Sequence, residues 1–455
     1  MSRWIRRKFY AAIRYLRKNE LNNEIPLLRE GGISRLLSDT VDSPNTTSQS
    51  FTWTSGNTAA ATVNSSTGTV TGVAAGTAVI TGKWSYNSSK TVTYTVNVTE
   101  IPSGTYFIQN RETEKYVQPD NDDAPNYSNN GGIMEQMDFD GGDYQRWIFT
   151  HTGDGYYKIT SKKSGYAITV PSGEETASGA NLVLKNYTGT DNQKWLITAT
   201  DAGYRISAKC AEAELVMAVE ASDIGNLLDN LNIQQKTYVD NDSYKDEWWL
   251  HRFNDASLMA IEDTSHSTPH NDYFQSVHNS LSEMGYTNIG EYYDDTRSYD
   301  GEDLLFYLCS SSVLTLMTHG APTEVEMSGG TSVSFWDVMD LAPNSLSDLE
   351  LVVLASCYTG QGYPNSSPPQ NFAEALAAQG AQNVIAFRGK VACAHVIPWM
   401  ETFFASLADG KTYEQAFSYA DAYVSENIDP FKENDDDPND AGVYTTNENF
   451  RVYIH

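Results

Sequence analysis

Two short apolar runs end in residues capable of covalent chemistry. Val313-Leu314-Thr315-Leu316-Met317 leads into Thr318-His319-Gly320, and Leu351-Val352-Val353-Leu354-Ala355 leads into Ser356-Cys357-Tyr358-Thr359-Gly360. A continuous apolar run of this length is the pattern of a strand buried on both faces of a parallel sheet. Two such strands deliver a thiol and an imidazole to one sheet edge, where they can act as nucleophile and general acid/base. Gly320 lets backbone approach a bound carbonyl, so its N–H and that of Cys357 are the candidate oxyanion hole. The competing reading makes Cys357 a small buried hydrophobe and His319 a satisfied polar residue. Placement of both beside glycine at strand ends favours catalysis.

The remaining reactive side chains fit chemistry less well. Cys309 falls in a helical run and Cys210 in a β-rich stretch, so both read as structural. Cys393-Ala394-His395 would present two ligands on one face only if extended. His266 and His270 lack the glutamate of a zinc helix. Asp435, Asp437 and Asn439 alternate as in a calcium loop, but Asp440 stands where that loop needs glycine. A solvated acidic loop is the preferred reading there; calcium is the alternative, and no other cofactor or metal is expected.

The strand ends need a scaffold, and residues 255–455 supply an alternation suited to one. Ser257 to Ile261 reads as a strand, 272–284 as a helix, 289–293 as a strand and 304–308 as a helix. The two apolar strands follow, then helices over 372–378 and 399–407 with a strand at 384–387 between them. The pattern predicts a mainly parallel sheet covered by helices, with ligands at the carboxyl ends of its strands.

Upstream, 455 residues exceed one ordinary core. A formal charge of −29 repels phosphate backbones, so nucleic acid is an unsuitable partner. No apolar run is long enough for a transmembrane helix. Four cysteines in such a chain do not make a disulfide framework. The first 35 residues invert the charge, with nine Lys/Arg against three Glu. Arg14, Arg17 and Lys18 interrupt the apolar stretch a secretory signal requires. Residues 1–40 are read as a pro-segment, a membrane-surface helix or a helix docked on the acidic body.

Residues 41–100 hold short Thr/Val-rich strands between Gly/Ser turns, the pattern of a small β-sandwich. Residues 103–253 repeat at about 50 residues: Gln145-Arg146-Trp147, Gln193-Lys194-Trp195 and a degraded Glu247-Trp248-Trp249. Three such units stacking their tryptophans into one core make a β-trefoil.

These patterns resemble three families. Trp53-Thr54-Ser55, Gly68-Thr69-Val70-Thr71 and Ala75-Gly76-Thr77-Ala78 resemble a bacterial Ig-like domain of group 2, a spacer or adhesion unit. The paired Gln-x-Trp motifs resemble a ricin-B-type lectin. That resemblance implies a sugar pocket, for which Asn186 and Gln193 are the matching residues. Gln118 and Thr169 stand where the family's pocket aspartate is expected. His-Gly and Ala-Ser-Cys on separate strands resemble the caspase-like cysteine peptidases, including the gingipain and CHAT branches. Gly380-Ala381 before the strand at 384–387 fits the CHAT pattern.

The implied function is a cysteine endopeptidase acting on a protein or peptide, targeted by a trefoil whose deletion leaves cleavage of a short peptide nearly unchanged provided the remainder folds. The alternative is a carbohydrate-binding or adhesion protein with an inactive caspase-like domain. The resemblance also implies that residues just past the first strand, Glu262 and Asp263, select Arg or Lys before the cut; the alternative reading makes both solvated loop carboxylates. The basic start, with Arg17, Lys18, Arg29 and Arg35, is then a candidate autoprocessing segment. Accessory domains of these kinds imply a secreted or surface protein, whereas the absence of a recognisable signal peptide leaves the cytoplasm open.

Overall fold

The apolar runs form strands because successive residues meet opposite helical layers. The computed structural model describes residues 28–29, 33–35, 51–120, 130–261, 270–360, 369, 371–387, 393–427 and 450–454, except 73–75, 85–86, 100, 201–202, 212–214, 221–228, 239–243 and 294–297.

The C-terminal sheet contains β1 (Asn254–Ala260), β2 (Ile289–Tyr293), β3 (Ser311–Met317), β4 (Leu351–Ala355), β5 (Asn383–Phe387) and β6 (Phe450–Ile454). Their spatial order is β2-β1-β3-β4-β5-β6. All pairings are parallel except β5 with β6. The antiparallel edge strand β6 has no counterpart in the sequence reading. Six helices are described here: α1 (His270–Glu283), α2 (Gly301–Cys309), α3 (Phe335–Met339), α4 (Phe372–Ala378), α5 (Cys393–Ala408) and α6 (Tyr413–Asn427).

Leu314, Leu316, Val352 and Leu354 face the layer holding Leu304 and Leu308 of α2 and Phe372 of α4. Val313, Met317, Leu351 and Val353 face Phe274 of α1 and Trp399 and Phe403 of α5. Burial on both faces explains why β3 and β4 show no polar alternation.

The trefoil region forms an antiparallel sheet of 13 strands. Its three-fold repeat is visible in single hydrogen bonds. Trp147 donates its indole N–H to the Val117 carbonyl at 2.9 Å, Trp195 to Ile168 at 3.0 Å and Trp248 to Met217 at 2.9 Å. All three rings are buried. The third motif is therefore Asp246-Glu247-Trp248, one residue earlier than the sequence reading placed it. Adjacent tryptophans offered two registers, and core contact selects Trp248.

The sandwich packs around Trp53, against which a side chain at Gly82 would sit 2.7 Å from the ring. Its opening strands differ from expectation. Leu28–Arg29 pairs with the strand Asn87–Thr99, and Ile33–Arg35 with Thr69–Gly72. The sandwich thus begins before residue 41, inside the segment read as an N-terminal extension. Arg29 and Arg35 lie on paired strands, which suits them poorly to autoprocessing. Arg17 and Lys18 fall outside the described residues.

No linker separates the trefoil from the sheet. The last trefoil strand, Trp248–Arg252, is followed by Phe253 and then β1. Phe107 and Tyr116 of the trefoil share one apolar cluster with Leu304, Leu314 and Leu354. The Phe306 ring lies 5.5 Å from Phe107 and 5.6 Å from Phe139. Among the described residues, no helix is long and apolar enough to cross a membrane.

Candidate active site and ligand pocket

β3 and β4 are neighbours, and their pairing runs in register from Val313 opposite Leu351 to Met317 opposite Ala355. His319 and Cys357 each lie two residues beyond that final pair. Parallel strands in register thus carry both residues to one edge at equivalent heights. His319 is exposed and Cys357 half-buried.

The two loops touch directly. A side-chain carbon at Gly320 would lie 2.8 Å from the Cys357 carbonyl oxygen and 3.0 Å from both Ser356 and Thr359 side chains. Only glycine permits this approach. The histidine loop is held by an antiparallel ribbon, in which the Glu326 N–H donates to the His319 carbonyl at 2.9 Å. The Thr318 hydroxyl donates to the Glu326 carbonyl at 2.6 Å. On the cysteine side, the Gly360 N–H donates to the Phe387 carbonyl at 2.9 Å, tying the turn to β5.

Tyr358, directly after Cys357, has φ 61° and is 36% exposed. Aromatic residues adopt this left-handed conformation at a cost of about 1–2 kcal/mol. The chain therefore bends sharply as it leaves the cysteine, and the bend is not carried by a glycine.

Other thiols are unsuited to the role. Cys309 is fully buried and burial pushes its thiol up to about 12; burial likewise raises Cys210 to about 11. Both are held away from the reactive thiolate form at neutral pH. Cys393-Ala394-His395 opens α5 and is helical, so positions two apart do not share a face. Among the described residues, no group of three or more His, Cys, Asp or Glu is placed to hold a metal ion. Glu262, Asp263, His266, Asp435, Asp437 and Asn439 lie outside the described residues.

The trefoil carries a cavity of about 580 Å³ at its second repeat, lined by Thr169, Glu175, Lys185, Asn186, Thr188 and Asn192, among others. Gln193 forms its buried floor. Its side-chain amide donates to Thr169 Oγ1 at 3.1 Å and to the Asn186 carbonyl at 2.8 Å. Its carbonyl accepts from the Thr188 N–H at 2.7 Å and the Thr188 hydroxyl at 3.0 Å. Asn186 is exposed at the rim. Gln193 thus shapes the pocket, while Asn186 is available to a ligand.

The first repeat reproduces this framework. Gln145 donates to Gln118 Oε1 at 3.1 Å and to the Asp138 carbonyl at 2.8 Å, and accepts from the Asp140 N–H at 3.1 Å. One side of its corner packs on the C-terminal domain. The fully buried Arg146 donates to Asp348 at 2.8 Å, to Asp143 at 3.0 Å and to the Cys309 carbonyl at 3.0 Å. It also donates to the Ser345 carbonyl. Its charge lies 5.2 Å from the Phe253 ring. Sequence reasoning passed over Arg146; an arginine in place of lysine at the middle of the motif was the sole signal.

Comparison with known proteins agrees with this architecture. The model of the ricin-type β-trefoil lectin domain-like family matches residues 92–185 and 143–235. That of the CHAT domain matches 303–436, and that of the bacterial Ig-like domain (group 2) matches 29–96. Similar solved structures include the designed three-fold symmetric protein ThreeFoil, at 28% identity over 32% of this chain and 98% of that one, TM-score 0.29. The Rhizoctonia solani agglutinin is 21% identical over 33% of this chain and 96% of that one, TM-score 0.28. The Macrolepiota procera ricin B-like lectin, solved with lactose, is 22% identical over 34% and 99%, TM-score 0.28. Among curated proteins, none matches the chain.

Proposed function

We propose, for a chain that carries bacterial Ig-like, ricin-type trefoil and CHAT domains, a cysteine endopeptidase whose trefoil binds carbohydrate. The CHAT domain suggests a caspase-like protease and the ricin-type domain suggests glycan binding. The finer reading rests on one observation: β3 and β4 pair in register, so His319 and Cys357 emerge together.

In this reading the His319 imidazole takes the Cys357 proton, and Sγ bonds to the carbonyl carbon of the scissile peptide. The resulting oxyanion accepts hydrogen bonds from the N–H groups of Gly320 and Cys357. The C–N bond then breaks as the imidazolium gives its proton to the leaving amine. Water, deprotonated by the imidazole, hydrolyses the thioester, and the departing thiolate recovers the proton. The reaction as written calls for no cofactor. Glu262 and Asp263, just beyond β1, select Arg or Lys through a charge-assisted contact. Arg17 and Lys18 remain the candidate self-cleavage points. Spacer and lectin modules suit a surface or secreted enzyme.

The test is a peptide library read by mass spectrometry, with wild type, Cys357→Ala and His319→Ala. Each substitution is expected to lower cleavage by about 1,000-fold or more, with unchanged circular dichroism. Full activity of Cys357→Ala would sink the assignment, and preference for Asp or Leu over Arg and Lys would remove the acidic pocket.

A further inference from the structure

We propose that the trefoil is a monovalent lectin: its second repeat holds the single glycan pocket, because the corresponding corner of the first repeat is the seat of the C-terminal domain. This rests on the carbohydrate reading above and adds valency to it.

The two corners are equivalent residue by residue. Gln145 corresponds to Gln193, and the carbonyls that accept from their amides make Asp138 the counterpart of Asn186. The loop from Asp140 to Tyr144 is then the counterpart of Thr188 to Asn192. In the second repeat, a side chain at Gly189 would meet nothing within 4 Å, and the loop lines the cavity. In the first, Gly141 packs on Cys309 and on Ser345, and the Ala342 N–H donates to the Asp140 carbonyl at 2.8 Å. The Gly141 side of this corner is thus covered by the C-terminal domain, while the Asp138 side chain stays 79% exposed.

A pair of cations shows the same exchange. Lys209 donates its N–H to the Lys194 carbonyl at 2.8 Å, as Lys162 does to Arg146 at 2.9 Å. Lys194 and Lys209 converge on Asp154, at 3.1 and 2.9 Å, within the trefoil. Arg146 and Lys162 converge on Asp348, which the C-terminal domain supplies. One electrostatic fixture thus serves internally in one repeat and as a docking contact in the other.

Among the described residues, the third repeat lacks the amide framework. Ala218, after Met217, offers no acceptor where Thr169 and Gln118 do, and Asp246 replaces the glutamine. A carboxylate cannot donate to the neighbouring carbonyls as an amide does.

The experiment uses the full chain. After a glycan array, methyl β-galactoside, methyl α-mannoside and N-acetylglucosamine are titrated calorimetrically into wild type, Asn186→Trp and the matched Asp138→Trp. The expected stoichiometry is about one per chain, with affinity about 20-fold weaker or worse in Asn186→Trp and within about two-fold of wild type in Asp138→Trp. A stoichiometry of two or three, or loss in Asp138→Trp alone, overturns monovalency. No retention of any glycan sinks the carbohydrate reading itself. The seat is judged separately by hydrogen exchange. Arg146→Gln is expected to raise exchange about ten-fold in both 139–146 and 341–349, while Lys194→Gln leaves 187–194 unchanged. Unchanged exchange in Arg146→Gln would overturn the seat.

Discussion

The first and second trefoil repeats share a motif, a buried tryptophan and an amide framework, yet one corner is an open cavity and the other an interdomain joint. Backbone does not distinguish them. The difference lies in a few side chains: Arg146 against Lys194, and Gly142-Asp143-Tyr144 against Thr190-Asp191-Asn192. Lysine reaches water with its charged end, as Lys194 does toward half-exposed Asp154. Arginine's planar fork can instead satisfy a carboxylate and two carbonyls together, which makes full burial tolerable. A repeat can therefore change from open cavity to docking surface without altering its fold.

The largest effect is expected from separating the two partners. Residues 255–455 alone would lose Phe107 and Tyr116 from their apolar cluster and expose Phe306. Scanning calorimetry of that fragment is expected to show a transition lowered by roughly 10 °C or more, or none. The expectation that deleting the trefoil spares cleavage holds only if the remainder folds, and this joint puts that proviso at stake. An undisturbed transition would make the joint energetically trivial.

Next comes Arg146→Ala, which leaves the Cys309 and Ser345 carbonyls without this donor and Asp348 with Lys162 alone. Because Asp348 is 38% exposed, a loss of about 2–4 kcal/mol in urea unfolding is expected, below the figure for a fully buried pair. Lys194→Ala should be near neutral. Equal effects would erase the contrast between the repeats.

Acid should open the first corner before the second. Burial holds the His251 imidazole down to about 4, and its Nε2 meets Gln109 Oε1 at 2.7 Å. Its ring also packs 5.1 Å from Phe306, and no histidine lines the second-repeat cavity. Because the folded pKa lies below the unfolded value of about 6.5, the unfolded chain takes the proton first. Stability from this residue is thus complete above pH 6.5 and falls as pH drops toward 4, by about 2–3 kcal/mol. His251→Gln is expected to flatten that part of the slope in paired melts at pH 7 and 4.5.

The smallest effect concerns thiols. Iodoacetamide followed by peptide mapping is expected to label Cys357 first and Cys309 last in wild type. Arg146→Ala should speed Cys309, beside the first corner, while Cys210 at the second cavity keeps its rate. Acceleration of Cys210 alone would contradict the joint.

Much of this was legible in sequence because strong local rules applied. β3 and β4 announced themselves as unbroken apolar runs; in sequence Gly320 reads as room for a bound carbonyl, and the structure adds a tight packing of that glycine against the cysteine loop. Rules failed where a choice depended on distant contacts. Trp248 and Trp249 are equivalent to any local pattern, and only Met217 and the core decide between them. Leu28–Arg29 and Ile33–Arg35 were hidden in a basic segment because short sandwich strands carry little apolar signal. Arg146 drew no reading of its own, because its partners lie some 160 to 200 residues away in sequence.

The missing linker has a mechanical consequence. A lectin on a flexible tether swivels, so a bound enzyme samples a hemisphere of targets around its anchor. Here the body is fastened twice, by the chain through Phe253 and by Arg146 on Asp348, and two fastenings resist torque as well as tension. Drag on the enzyme would be borne across the end of the sheet opposite the cysteine and histidine. If the proposed function holds, an anchored molecule of this kind would hold its cutting edge at one height and one heading above the surface it grips.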